Sequence, residues 1–294
     1  MIQEVQAKSI LNKNKHPSGW FGMEYGVNIY RGCQYQCIYC DSRSERYRIE
    51  NFNDIIVKVN APELLQKELA RKRKRGTIGT GAMSDPYMPL EKEYNLTGKC
   101  LEIISHYRYP VNICTKSNLI LRDIKLLQKI NEVYACIAFT ITTTDDELPK
   151  KIEPHAPLPS ERLKAMGILS SLGINTGVVM MPLLPFIEDN EENIKNIVKK
   201  SAYYGASFII PSFGMTLRDR QKLYYYDKLD ENFPGLREKY EKRFKNRYSC
   251  GVNNYTKLKN LFHQWCKHHN ISTKMPSYHQ KVASIQLSLF NNIK

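Results

Sequence analysis

The 294-residue sequence holds no apolar run approaching the roughly 20 residues that a bilayer-crossing helix needs. Its longest candidate, residues 178–187, carries Pro182 and Pro185 and reads as a buried strand entering a loop. No membrane association is expected. The sequence also shows no secretory or other targeting segment, so a cytoplasmic location is expected, where thiols stay reduced. Acidic residues are in short supply: 29 Asp and Glu stand against 44 Lys and Arg, a formal charge of +15. That imbalance favours a polyanionic partner. Disorder is not the default, because 42% of the residues are hydrophobic and can supply a core. Paired cysteines are almost absent. Cys100, Cys114, Cys136, Cys250 and Cys266 are scattered singly, which leaves no second C-x2-C pair for a four-ligand zinc site and no close framework for disulfides.

The remaining cysteines are concentrated in one place. Cys33, Cys37 and Cys40 form a C-x3-C-x2-C run just after a short apolar stretch. Three thiolates on one tight loop can hold three irons of a 4Fe–4S cube and leave the fourth iron open to a small molecule. A zinc knuckle or three ordinary buried cysteines are the alternatives.

Strand and helix signals alternate from Gly26 onward. Strands are predicted at 27–30, 77–81, 111–115, 135–142, 175–181 and 207–210. Helices are predicted at 62–75, 95–107, 123–130, 160–171 and 191–203, with Ser160 as the cap of the fourth. This pattern predicts an α/β fold, a partial (β/α)6 TIM-type barrel whose strand C-termini carry the site. Residues 1–24 read as an arm, 25–212 as the barrel, 213–280 as a basic and largely helical extension, and 281–294 as a tail. Basic residues concentrate at 71–75 and 237–247, and Tyr224, Tyr225 and Tyr226 are among nineteen tyrosines interleaved with this charge. Cations neutralise phosphates and aromatic faces stack on unpaired bases, although any single run also fits a solvated helix face.

The cysteine spacing resembles the signature of the radical S-adenosylmethionine (SAM) superfamily. Further motifs narrow the resemblance: Thr80 to Tyr87 (TGAMSDPY), Thr115-Lys116-Ser117, Thr140 to Thr143, Glu153-Pro154, Pro157 to Leu163 and Gly177 to Pro185 fall in order at successive strand ends. Over about residues 25–212 the sequence resembles the spore photoproduct lyase-like family of DNA repair enzymes. The resemblance implies a 4Fe–4S cluster on Cys33, Cys37 and Cys40, and SAM cleaved by one electron to a 5′-deoxyadenosyl radical. It implies Tyr39 near the adenine, Ser84 and Asp85 near the SAM amino group, and Lys116 near its carboxylate. It further implies Thr140 and Thr142 near the ribose, with Met181 and Pro182 beside the adenine. The family's hydrogen-donating cysteine has no counterpart, because the matching stretch reads Gly81-Ala82-Met83-Ser84; Cys114 and Tyr87 are the substitutes available.

The expected function is therefore a radical SAM enzyme acting on nucleic acid, on a DNA lesion or a modified base. The runner-up is modification of a protein, RNA or small molecule with a partner protein, such as the second member of a radical SAM pair from a bacterial mobile element. A non-enzymatic iron–sulfur module that binds nucleic acid is the third reading. A reductant such as flavodoxin or ferredoxin is implied by the resemblance. The end of the sequence, Gln286, Leu287, Ser288, Leu289 and Phe290, resembles the pentapeptide by which bacterial repair proteins dock on the sliding clamp.

Overall fold

The computed structural model describes residues 1–15 and 21–278; the clamp-like residues Gln286 to Phe290 lie outside them. Seven strands form the main sheet: β1 (Leu11–Lys13), β2 (Tyr25–Val27), β3 (Ile78–Thr80), β4 (Val111–Thr115), β5 (Ala135–Thr140), β6 (Asn175–Met180) and β7 (Phe208–Pro211). They lie side by side in chain order, β2 to β7 all parallel and β1 antiparallel on the β2 edge. Helices Ala61–Ala70, Leu96–His106, Ile124–Asn131, Pro159–Ser171 and Glu191–Tyr203 provide the crossovers between successive parallel strands. The result is the open, partial TIM-type barrel expected from the alternation, with helices on one face. β7 does not pair with β2; its edge is covered instead by Ser272, whose carbonyl accepts from Ile209 N–H at 2.8 Å.

Alternation along the strands divides the core in two. Ile137 and Phe139 face the helices as part of the large cluster. Cys136, Ala138, Val179, Phe208, Ile210 and Met275 form a second cluster on the opposite, concave face. Small residues keep that concave face open near the strand ends. Gly81 sits at φ +96°, and a Cβ there would lie 2.0 Å from the Cys114 carbonyl oxygen.

Several boundaries differ from the sequence reading for identifiable reasons. The first strand is not continuous over 27–30. It breaks after Val27, and Tyr30–Arg31 pairs instead with Ile55–Lys58 in a separate three-stranded sheet that also takes in Ile2–Val5. The helix predicted over 62–75 stops at Ala70, because residues 71–75 are all cations with no apolar position to bury and like charges one turn apart. Ser160 does not cap its helix. Glu161 Oε2 accepts from Leu158 N–H (2.8 Å), and Asp146 Oδ1 from the Ser160 N–H (3.0 Å).

The region after β7 carries helices Asp219–Asn232, Leu236–Phe244 and Tyr255–His268, as expected, and a two-stranded antiparallel sheet, Gly214–Thr216 with Ser249–Gly251, that the sequence did not suggest. Its tyrosine run is structural: Tyr225 and Tyr226 are buried, Tyr225 and Tyr240 hydroxyls meet at 2.9 Å, and the Arg43 guanidinium stacks on Tyr224 at 3.6 Å. Among the described residues no helix is long and apolar enough to cross a membrane.

The clash at Gly81 yields a first prediction. Gly81→Ala should cost about 1–3 kcal/mol or more of stability, read as a lower urea midpoint; an unchanged midpoint would contradict the close β3–β4 approach.

Candidate active site

Tyr30–Arg31 leads the chain out of the main sheet and into the cysteine loop. Gly32, at φ +79°, makes the turn, and a Cβ there would lie 2.5 Å from the Asp54 carbonyl oxygen. Only glycine fits. The loop is then pinned from several sides. Gln36 Nε2 donates to Cys33 O (2.8 Å), Cys40 N–H to Cys37 O (3.2 Å) and Ile38 N–H to Ile152 O (2.9 Å). Leu90 N–H donates to Gln34 Oε1 (2.7 Å), and the Tyr35 hydroxyl to the Tyr87 carbonyl (3.0 Å). Cys33 and Cys37 are buried, Cys40 is half-buried, and none is in a disulfide.

Burial pushes the Cys33 thiol up to about 12; the Asp85 charge adds to this, while the backbone N–H groups of Asp85 and Tyr35 work the other way. Burial also raises Cys37, against the pull of Lys116. Metal ions that take these thiols must release their protons.

Buried charges surround the loop. Glu153 and Arg162 form an ion pair of 2.5 Å between side chains that are each 1% exposed. Glu153 also accepts from the Tyr39 hydroxyl and stands 3.8 Å from Lys116 Nζ. Burial disfavours the Glu153 charge, but Arg162 and Lys116 together hold its carboxyl below the usual range. Burial likewise opposes the Lys116 ammonium, yet Cys37 and Glu153 raise its pKa above that of an ordinary lysine. Arg162 further donates to Pro157 O (2.7 Å) and Thr140 O (3.0 Å), fixing the end of β5.

Asp85 braces the neighbouring strand ends. Its Oδ1 accepts from Thr115 Oγ1 (2.6 Å) and Tyr87 N–H (2.9 Å), and its Oδ2 from Lys116 N–H (2.7 Å). Ser84 Oγ donates to Tyr30 O at 2.7 Å.

A cavity of about 630 Å³ opens at these strand ends. Of the residues singled out from sequence, Tyr39, Cys40, Cys114, Thr140, Met181 and Pro182 line it. Cys33, Cys37, Ser84, Asp85, Lys116 and Thr142 stand outside its lining; Thr142 O accepts from Asn193 Nδ2 at 2.9 Å. Tyr87 is also outside, fully buried, with its hydroxyl donating to Asp123 Oδ2 at 3.0 Å. Cys114 Sγ lies 3.9 Å from Thr140 Oγ1, and burial raises its pKa.

Sequence reasoning missed one wall. Phe213 to Thr216 and Ser249 to Gly251, the small sheet of the extension, close the cavity opposite β4 and β5. Each strand is three residues long, too short for a period to show; Gly214 was the available hint, since a Cβ there would lie 2.2 Å from Cys250 O. Asp41 joins this wall to the cysteine loop: Thr216 Oγ1 donates to its Oδ1 (2.5 Å), which also pairs with Arg218 Nε (3.1 Å).

The donor set fits a cluster. Three free thiols, two buried and one at the cavity wall, stand on one loop, and a four-iron cube takes each thiolate at a separate corner. Lys116 and Arg162 lie near enough to Cys37 to offset added negative charge.

A partial parallel α/β barrel with a cysteine loop at its strand ends is the class that this architecture defines. Residues 27–199 match the Radical SAM superfamily, and the chain belongs to it; its cofactors are a 4Fe–4S cluster and SAM. The chain is 31% identical to an uncharacterized protein of Methanocaldococcus jannaschii, covering 82% of this chain and 85% of that one. It is 22% identical to a radical SAM Nalpha-GlyT isomerase of Pseudomonas phage M6, over 62% of this chain and 37% of the isomerase. In fold it is similar to spore photoproduct lyase complexed with dinucleoside spore photoproduct, at TM-score 0.68 and 17% identity, covering 91% of this chain and 79% of the lyase. A doubly substituted mutant of that lyase, with bound AdoMet and the same dinucleoside, superposes at TM-score 0.66 and 18% identity, covering 91% of this chain and 78% of that one.

The buried charges can be tested by substitution. Arg162→Met should strand the Glu153 carboxylate and cost about 3–5 kcal/mol. Because the folded carboxyl is held below its ordinary 4.5, wild-type stability from this pair is present above that pH and fades as pH falls; the gap to the variant should narrow there in urea titrations. Glu188 behaves oppositely. Burial raises it from 4.5 to about 8, so its contribution is full below 4.5 and lost as pH rises through 8. Glu188→Gln should flatten that decline in stability; an unaltered pH profile would refute the assignment.

Proposed function

We propose that this radical SAM enzyme acts on nucleic acid, at a DNA lesion or a modified base, in the cytoplasm. The observation that carries the reading is the continuous cavity running from Cys40 and Tyr39 to Cys114 and on to the wall contributed by the extension. Its lining joins the cysteine loop, the ends of β3 to β6 and the small sheet of the extension. The positive charge of +15 and the dinucleoside held by the lyase of similar fold support a nucleic-acid substrate.

When bound, the reduced cluster and SAM supply a 5′-deoxyadenosyl radical for hydrogen abstraction. Cys33, Cys37 and Cys40 would hold the cluster. Thr140, Met181 and Pro182 line the cavity with Tyr39 and would border the ribose and adenine. Lys116, held beside Cys37 by the Asp85 brace, provides the cation for the SAM carboxylate. Ser84 keeps acceptor lone pairs for the amino group although its proton is committed to Tyr30. Asp85, with three donors already on its carboxylate, acts by positioning Thr115 and Lys116. Thr142, whose carbonyl accepts from Asn193 Nδ2, is the second threonine expected near the ribose.

Of the two candidate hydrogen donors, Cys114 lines the cavity and Tyr87 does not. A thiol whose pKa is raised by burial keeps its hydrogen at neutral pH, as a hydrogen-atom donor must. A reductant of the flavodoxin or ferredoxin kind, a second radical SAM protein and the sliding clamp remain the expected partners.

Anaerobically reconstituted protein given dithionite and SAM should release 5′-deoxyadenosine. Cys37→Ala should abolish both that release and the cluster absorbance, and Cys114→Ser should retain both. No release from the wild type with lesion-bearing DNA present would sink the proposal.

A further inference from the structure

The cations at residues 71–75 do not continue a helix; they wrap a second concavity. Lys72, Arg73, Lys74 and Arg75 line a groove of about 510 Å³ together with Tyr107 and Tyr109, and no acidic side chain lines it. Among the described residues, none of these four cations takes part in an ion pair. Lys72 Nζ stands 5.3 Å over the Tyr25 ring, while Arg73, Lys74 and Arg75 are exposed. Glu24, the acid beside this turn, is already engaged by the Thr77 N–H. Four uncompensated cations around a concave surface destabilise one another, and that repulsion is relieved when an anion of several charges occupies it.

The groove is not part of the cavity. Arg75 precedes β3, whereas Thr80 and Gly81 at the other end of β3 line the cavity. Tyr107 and Tyr109 likewise precede β4. The groove therefore belongs to the rim formed by strand N-termini, and the cavity to the rim formed by strand C-termini. Arg75 and Thr80 are five residues apart, at most about 18 Å along an extended chain. Successive phosphates of one duplex strand advance about 3.4 Å along the helix axis, so about five nucleotides span that distance.

We infer that the groove of Lys72, Arg73, Lys74 and Arg75 is a second contact for the phosphate backbone of the nucleic-acid substrate, remote from the reacting base. This rests on the nucleic-acid reading and adds where the strand is gripped. The grip carries no sequence information; it holds the strand while the cavity selects the base.

The test uses full-length reconstituted protein and a fluorescent DNA duplex of about two helical turns and mixed sequence, with affinity measured from about 50 to 200 mM salt. Arg73→Gln, Lys74→Gln and Arg75→Gln combined should weaken binding roughly tenfold and reduce the slope of log affinity against log salt by about 2–3. Release of 5′-deoxyadenosine without DNA should be unchanged, which reports that the fold and cofactor site are intact. A control on the other basic run, Lys239→Gln with Lys242→Gln, should leave the slope as in the wild type. Wild-type binding that the triple variant preserves overturns the groove while leaving the nucleic-acid reading standing. An equal loss in the control variant also overturns it, since the effect is then one of general charge. A wild type that binds neither this duplex nor the matching single strand removes the nucleic-acid reading itself, and the groove with it.

Discussion

Compensation of buried negative charge is the constraint around which the site is organised. The cysteine loop brings three free thiols, two of them buried, and Glu153 and Asp85 are buried close by. Left alone, such a group would be expelled or neutralised. Arg162 and Lys116 answer it directly, the first through its ion pair with Glu153 and the second between Glu153 and Cys37. Asp85 is answered by hydroxyl and amide donors. These partners come from the ends of β3, β4 and β5 and from the helix Pro159–Ser171, so balancing the charge also fixes the strand ends relative to one another.

The sheet separates two tasks by face. Side chains directed at the helices make the large core and decide stability. Those on the concave face are small near the mouth and apolar deeper in, where Cys136, Phe208 and Met275 pack. Gly81 shows how little latitude remains there, because even one methyl group would meet the β4 backbone.

Much of this was legible in the sequence, for physical reasons that particular elements make plain. β4 matches its expected limits, 111–115, and the helix Glu191–Tyr203 its own, because each is a strong periodic run bounded by Pro110 or Asn190. The six parallel strands follow from the same alternation. What misled was local. The apolar run at 27–30 looks continuous, yet the chain must leave the sheet there to begin the cysteine loop. The cationic stretch at 71–75 looks helical by propensity but has nothing to bury. Within the site, the three cysteines could be singled out from their spacing, and the cavity-lining Thr140, Met181 and Pro182 from the family resemblance. The division between Asp85 as a brace and Tyr39 as a wall could not, since it depends on which neighbours each side chain finds. The small sheet of the extension was invisible because its two strands lie 32 residues apart, between Thr216 and Ser249, and carry only three residues each.

The clasp between Asp41 and Thr216 also bears on how the protein is made. The two residues are separated by 175 positions, and Arg220 reaches the Arg43 and Ile49 carbonyls across a similar gap. Contacts of that span cannot form before the ribosome has moved well past residue 220, and they close slowly even then. The cysteine loop is thus completed late in biogenesis, after the six strands beneath it have been synthesised. Until then the loop lacks the wall that the extension supplies and its free thiols are open to oxidation, so the outcome for each new molecule depends on timing.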